Sequence, residues 1–167
     1  MDAVDYSTGW ELVSVRQAVL RDAHAVRVLR LEGLLLNPEA FGSDYEREVI
    51  QPVTKWEERL SPQPNNVVFV AESSTELVGM CGVFRSELVK IKHSASIYGV
   101  YVRPDWRGRG LGVRLIVASL GWARQNGLKI VKLAVVSSNA AAIRGYQKAG
   151  FREYGLEPAA LFYAGMY

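Results

Sequence analysis

A glycine- and arginine-rich turn between a strand and a helix is the feature that most constrains the fold of this chain. Residues 107–117 read R-G-R-G-L-G-V-R-L-I-V and follow an apolar, β-rich run at Ala95–Val102, which Pro104 and Asp105 end. Behind the glycines, apolar residues recur at helical spacing. This spacing predicts a helix whose buried face holds Leu111, Leu115, Ala118 and Trp122.

Such a turn is typical of an anion-binding site. A helix N-terminus has backbone N–H groups without intrahelical partners, and its aligned peptide dipoles add about half a positive charge. Arg107 and Arg109 add side-chain charge there. The turn lacks the lysine of a Walker A loop, and its glycines are not spaced as G-x-G-x-x-G. We interpret it as a phosphate or pyrophosphate site, with a purely structural turn as the alternative.

A second motif follows about thirty residues later. A short apolar strand ending at Leu133–Val136 leads into N-A-A-A-I-R-G-Y-Q-K-A-G-F at residues 139–151. The polar start, the alanines and a glycine suited to the left-handed C′ position predict a helix that ends before Gly150.

Together the two motifs resemble those of the GCN5-related N-acetyltransferases, the GNAT superfamily. Arg107-x-x-Gly110-x-Gly112 is similar to the R/Q-x-x-G-x-G/A pyrophosphate loop of that family. Asn139, Ala142, Tyr146, Gly150 and Phe151 match its N-x-x-A-x-x-x-Y-x-x-x-G-F element. The resemblance covers roughly residues 13–160, and its specific part is 98–151.

The resemblance implies a mixed α/β fold, with a mostly antiparallel sheet splayed between strands 4 and 5 and flanked by about four helices. It implies transfer of an acetyl group from acetyl-CoA to an amine through a tetrahedral intermediate. The residues it assigns to acetyl-CoA are Val100, Tyr101, Val102, Arg107, Gly108, Arg109, Gly110, Leu111, Gly112, Val113, Asn139 and Tyr146.

Within that set the resemblance implies distinct roles. The backbone of Val100 and Val102 would bind the pantetheine arm, and the Val100 N–H would polarise the thioester carbonyl. Asn139 would bond a pantetheine amide, with a simple helix cap as the alternative. Tyr146 would protonate the departing CoA thiolate as the catalytic residue, with a packing aromatic as the alternative.

The general base and the acceptor stay open. The strand before the glycine turn carries no carboxylate, so Glu46, Glu48 and His93 are the candidates, each with a surface or substrate-orienting role as the alternative. Small amines, amino-acid-like compounds and protein N-termini all remain as acceptors.

Composition narrows the class of protein. A chain of 167 residues predicts one domain at 12–167 behind a flexible tail at 1–11. We expect a cytoplasmic protein without a membrane partner, because no apolar run is long enough to span a bilayer. The net charge is +3, and the basic residues are spread along the chain apart from a cluster at the turn, Arg103, Arg107, Arg109 and Arg114. The phosphates of CoA would account for that cluster, so nucleic acid is not expected. Cys81 reads as a buried strand residue, and two histidines with one cysteine predict no metal site.

The order of elements is predicted as β-α-α-β-β-β-α-β-α-β. Asp22 is expected to cap the first helix, and Thr54-x-x-Glu57 to form a capping box before the second. Similar family members have a seventh strand beside the fifth. The residues left here are barely enough for one, which favours a homodimer that covers the edge or a naturally short sequence. The predicted bounds are Leu12–Val19, Ala23–Leu36, Thr54–Leu60, Val67–Glu72, Leu77–Arg85, His93–Val102 and a last strand from Phe151 to about Leu156.

Two alternatives belong to other functional classes. A non-catalytic acyl-CoA sensor would keep the phosphate site without turnover. A nucleotide-binding or protein-interaction module would use the same glycine turn for another phosphate.

Overall fold

A computed structural model describes residues 13–166. The predicted tail at 1–11 therefore lies outside the described residues. Short 3-10 turns occur at Leu20–Asp22, Pro38–Ala40 and Pro104–Trp106. The strands and helices, in chain order, are β1 (Ser14–Gln17), α1 (Ala23–Leu36), α2 (Tyr45–Val49), α3 (Val53–Leu60), β2 (Asn66–Glu72), β3 (Leu77–Arg85), β4 (Ser94–Val102), α4 (Leu111–Gln125), β5 (Ile130–Lys132) and α5 (Ala140–Lys148).

The five strands form one mixed sheet in the order β1-β2-β3-β4-β5. The first four are antiparallel neighbours, whereas β4 and β5 are parallel. This last pairing covers only residues 94–96 of β4, so the rest of that edge has no strand partner within the described residues. The predicted mixed α/β fold, open between strands 4 and 5, is confirmed.

A β-bulge lies in β4 where the two strands separate. Met80 pairs with Tyr101 and Gly82 with Tyr98, so Cys81 alone faces the two residues between them, Gly99 and Val100. Gly99 has a φ of +61°, a left-handed conformation that suits glycine. Because a bulge bends its strand and increases the local twist, it helps to separate β4 from β5.

Two apolar clusters cover the two faces of the sheet. Leu111, Leu115 and Ile116 of α4 pack on one face. Val26 and Leu29 of α1, with Trp56 of α3, pack on the other. The glycine turn and the first helix are thus held against opposite sides of β4.

The buried position of Leu29 leads to a stability prediction. Leu29 is fully buried, whereas Leu36 on the same helix is 53% exposed. We expect Leu29→Ala to lower the free energy of unfolding by about 2–5 kcal/mol, because it removes buried contacts and leaves a cavity. The matched control Leu36→Ala should change it by less than about 0.5 kcal/mol in urea unfolding. Equal losses in the two variants would contradict this packing.

Several predicted details of the elements are wrong. The buried face of α4 consists of Leu111, Leu115, Ile116, Ser119 and Ala123, so Ala118 and Trp122 lie at its margin, half-buried. The Asp22 carboxylate accepts from the Val19 N–H and from Arg16 rather than capping α1. Helix α3 begins after Pro52 without a capping box.

The end of the chain also differs from the prediction. The short strand ends at Lys132, so residues 133–136 lie beyond it, and no strand forms at 151–156. Phe151 packs against the core, but the side chains from Arg152 to Leu156 are exposed. Since β5 has only three residues, a further strand beside it would have a short edge to pair with. The homodimer that would cover this edge stays a prediction.

Candidate functional site

The glycine turn forms the N-terminus of α4. Gly108 and Gly110 have φ values of +76° and +74°, and Gly110 is the N-cap residue. The first intrahelical bond runs from the Arg114 N–H to the Gly110 carbonyl at 3.0 Å, so the N–H groups of residues 111–113 have no intrahelical partner. A Cβ atom at Gly108, Gly110 or Gly112 would meet nothing within 4 Å, which leaves this side of the turn open. The turn can therefore receive an anion on backbone donors.

The open edge of β4 lies directly before this turn. The Arg103 N–H bonds the Val78 carbonyl on β3 at 2.9 Å. Because successive residues of a strand direct their polar backbone groups to opposite edges, those of Val102 face away from β3. The Val102 carbonyl already accepts from Arg107 Nε at 2.8 Å, which leaves its N–H for a ligand.

The two predicted arginines are engaged with the protein. Arg107 Nη2 donates to Asn37 Oδ1 at 2.8 Å, and its Cζ lies 5.6 Å from the centre of the Tyr101 ring. The Cζ atom of Arg109 lies 5.1 Å from the centre of the Trp106 ring. Arg107 thus connects the turn to the end of α1. The donors left for an anion are the backbone N–H groups of the turn.

Tyr101 is part of the same anchoring network. Its side chain is only 4% exposed, and its hydroxyl donates to Glu32 Oε1 at 2.8 Å. Burial, followed by the Glu32 bond, raises the pKa of Tyr101 to about 12. Arg103 also bonds Glu32, at 3.1 Å. The Tyr101 side chain therefore ties β4 to α1.

Helix α5 carries the second motif next to the first. A Cβ atom at Gly145 would lie 3.8 Å from Val113 Cγ2, so α5 passes beside the start of α4. Asn139 Oδ1 accepts from the Ala142 N–H at 3.1 Å and caps α5, which leaves its amide nitrogen for another partner. Gly150 follows the helix with a φ of +94°, as the sequence predicts.

Tyr146 lies half-buried on α5. Its ring meets Phe151 edge to face, with 6.3 Å between the ring centres, and packs against the cluster that contains α4. Burial raises the pKa of Tyr146 to about 12. The phenol is therefore neutral at physiological pH and able to donate a proton.

The three base candidates lie in different surroundings. Glu48 is buried and pairs with Arg30 at 3.3 Å and with Arg59 at 3.2 Å. His93 precedes β4 at the end away from the opening, about 20 Å from Val100 along the strand. Glu46 is exposed and lines a cavity. Of the three, Glu46 alone combines a place in the cavity with freedom from ion pairs to residues 13–166.

The cavity lies at residues 37–48, which the family resemblance assigns to the acceptor pocket, but its wall at residues 161–163 was not predicted from the sequence. It has a volume of about 250 Å³ and lies between the end of α1, residues 38–46 and residues 161–163. Its wall includes Phe41, Ser43 and Phe162. No spacing rule brings these distant segments together, so only the structure reveals that wall.

Neither a reactive thiol nor a metal site occurs among residues 13–166. Cys81 is fully buried, its sulfur lies 3.3 Å from Ser119 Oγ, and burial raises the pKa of its thiol to about 12. It is the buried strand residue that the sequence predicts. Across residues 13–166 no cluster of three or more His, Cys, Asp or Glu side chains could hold a metal ion. None of the described helices is long and apolar enough to cross a membrane.

An open strand edge that leads to a helix N-terminus with free backbone N–H groups defines an α/β protein suited to an extended, phosphate-bearing ligand. The profile of the Acetyltransferase (GNAT) family matches residues 26–151. The chain belongs to this family.

Known proteins of this class show similarity to different extents. An uncharacterized N-acetyltransferase of Methanocaldococcus jannaschii is 34% identical over 59% of this chain and 43% of its own length. An L-methionine sulfoximine/L-methionine sulfone acetyltransferase of Pseudomonas paraeruginosa is 44% identical over 36% of each chain. The match therefore spans less than half the length of these curated relatives. A GNAT-family acetyltransferase from Streptococcus pneumoniae has a similar fold, with a TM-score of 0.74, 21% identity and 86% coverage of each chain.

Proposed function

We propose that this protein is an acetyl-CoA-dependent N-acetyltransferase. The observation that carries the proposal is the continuity of two binding surfaces. The open edge of β4 at Val100 and Val102 leads directly into the free amides at the start of α4. Family membership supports the same chemistry.

Each part of acetyl-CoA has a matching surface in this proposal. The pyrophosphate accepts from the N–H groups at residues 111–113, where the helix dipole adds favourable charge. The pantetheine arm lies along β4 and bonds the backbone groups of Val100 and Val102 as a neighbouring strand would. Asn139 supplies an amide nitrogen from the adjacent helix.

The acetyl transfer then uses groups at the opening of the sheet. A neutral acceptor amine attacks the thioester carbon, and the Val100 N–H stabilises the oxyanion of the tetrahedral intermediate. The C–S bond breaks, the Tyr146 hydroxyl protonates the CoA thiolate, and the nitrogen releases its proton to solvent. An alkyl ammonium has a pKa of about 10, so a base must deprotonate it first. We assign that role to Glu46, the exposed carboxylate of the cavity.

Thermal unfolding with three ligands tests the binding half of this proposal. A ligand that binds only the native state stabilises it, by about 2.7 kcal/mol at a concentration 100 times its Kd. We expect acetyl-CoA at that excess to raise the Tm by roughly 5–10 °C. ATP and NAD, which also carry phosphates but no pantetheine arm, should raise it much less. An equal or larger shift with ATP or NAD would favour a nucleotide-binding module instead.

A further inference from the structure

Arg30 on α1 is a buried guanidinium with one nitrogen that bonds nothing. The residue is 9% exposed. Its Nη2 donates to Ser43 Oγ at 3.0 Å and to Glu48 Oε1 at 3.3 Å, while its Cζ lies 4.8 Å from the centre of the Phe41 ring. Nη1 is buried without a partner among the described residues. A buried donor left unpaired is costly, so the stability of the fold does not account for this arrangement.

The charges around Arg30 are also unequal in sign. The single carboxylate of Glu48 serves two guanidinium groups, those of Arg30 and Arg59. One turn earlier on α1, Arg27 donates to the Val49 carbonyl at 2.6 Å and leaves its buried Nε unpaired. The inner side of α2 thus holds more positive than negative groups. Stability does not explain this excess, because buried ion pairs contribute little to it.

Arg30 lies between the cavity and the bulge of β4. Its Nη1 faces the bulge of β4, since a Cβ atom at Gly99 would lie 3.4 Å from that nitrogen. On its other side, Ser43 and Phe41 separate the guanidinium from the cavity that they line. Because Ser43 Oγ accepts from Arg30, its own O–H proton is available to a ligand in the cavity.

We propose that Ser43, backed by Arg30, binds the carboxylate of the acceptor, and that the acceptor is an α-amino acid acetylated on its amino group. This inference rests on the proposed function. The guanidinium strengthens the Ser43 hydroxyl as a donor. The α-nitrogen, two bonds from the carboxylate carbon, then lies in the cavity beside the rim residue Glu46. Glu46 first takes one proton from the ammonium group. A C–N bond then forms, the C–S bond breaks, the thiolate takes the Tyr146 proton, and the nitrogen releases its second proton to solvent.

The exposed carboxylates at the rim of the cavity favour binding of a zwitterion over binding of a simple anion. Glu39, Asp44 and Glu46 are exposed lining residues that form no ion pair within residues 13–166. Their negative charges attract the ammonium group of an amino acid before it is deprotonated. A carboxylic acid without an amine meets the same three charges as repulsion alone.

Paired acceptors that differ only in the carboxylate test this subsite. The common L-amino acids and their carboxamides are compared in kcat/KM, with acetyl-CoA saturating and thiol release as the signal. We expect the wild-type protein to prefer the best amino acid over its carboxamide by about tenfold or more. Arg30→Gln should bring that ratio to about one and leave kcat/KM for the carboxamide within about threefold.

Two further variants separate recognition from structural support. Arg27→Gln also removes an arginine of α1 that holds α2 in place, but it leaves Ser43 intact. It should preserve the wild-type ratio. Ser43→Ala should lower the ratio about as much as Arg30→Gln, and it carries the test if Arg30→Gln does not fold. Equal losses for both acceptors in Arg30→Gln and Ser43→Ala would overturn the inference. So would acetylation of other amines without any preference for amino acids, a result that leaves the proposed function standing. A protein that acetylates no amine and does not bind acetyl-CoA would instead refute the proposed function.

Discussion

Gly110→Asp should weaken acetyl-CoA binding by about 100-fold or more, equivalent to about 2.7 kcal/mol, while the protein stays folded. The expected loss is large because the new carboxylate stands where the pyrophosphate must sit, and opposed like charges cost several kcal/mol. Aspartate is also a preferred N-cap residue, so its oxygens can take the free N–H groups of α4 for themselves. Isothermal titration calorimetry with acetyl-CoA measures the effect.

The fold is expected to tolerate this change. A Cβ atom at Gly110 meets nothing within 4 Å, so no clash results. The φ of +74° costs a non-glycine residue roughly 1–2 kcal/mol, which the gain of a helix cap partly offsets.

The other end of the same helix offers a matched control. Gly127 has a φ of +70° and equally open surroundings just after α4. Gly127→Asp therefore introduces the same side chain, with the same backbone strain, far from the proposed phosphate site. It should leave the affinity for acetyl-CoA unchanged. Wild-type affinity in Gly110→Asp would show that the glycine turn does not bind the diphosphate.

The parts of this fold that rest on local patterns could be predicted from the sequence. The bounds of α1 at Ala23–Leu36 and of β3 at Leu77–Arg85 are correct because turn residues flank a clear apolar periodicity. Gly108, Gly110 and Gly150 take the left-handed conformations that their positions require. The splay also follows from the resemblance.

The predictions that failed depend on contacts between distant segments. A strand at 151–156 needs a long neighbouring edge, and nothing in its own residues shows that β5 stops at Lys132. The partner of Arg107, Asn37, lies 70 positions away, so its side chain could not be assigned to the protein rather than to a phosphate. The spacing of residues in α1 does not show that Arg30 contacts Glu48 and Ser43, because both lie on segments further along the chain.

Tyr146→Phe should lower kcat by about 10²–10⁴-fold without weakening acetyl-CoA binding, the range expected for loss of a general acid. Because burial raises the pKa of Tyr146 to about 12, its hydroxyl keeps its proton from neutral pH to well above pH 9. Phenylalanine preserves the ring contact with Phe151 and the packing against the core, so only the proton donor is lost. Thiol release with the best acceptor from an amine screen measures kcat, and calorimetry measures affinity.

Tyr154→Phe provides the control for removal of a tyrosine hydroxyl, because Tyr154 is 82% exposed and belongs to neither motif. It should turn over like the wild-type protein. An unchanged kcat in Tyr146→Phe would show that Tyr146 only packs against the core and that solvent protonates the thiolate. A wild-type protein that binds acetyl-CoA tightly but acetylates no amine would make both tyrosine variants indistinguishable from it, and that outcome would identify an acyl-CoA sensor.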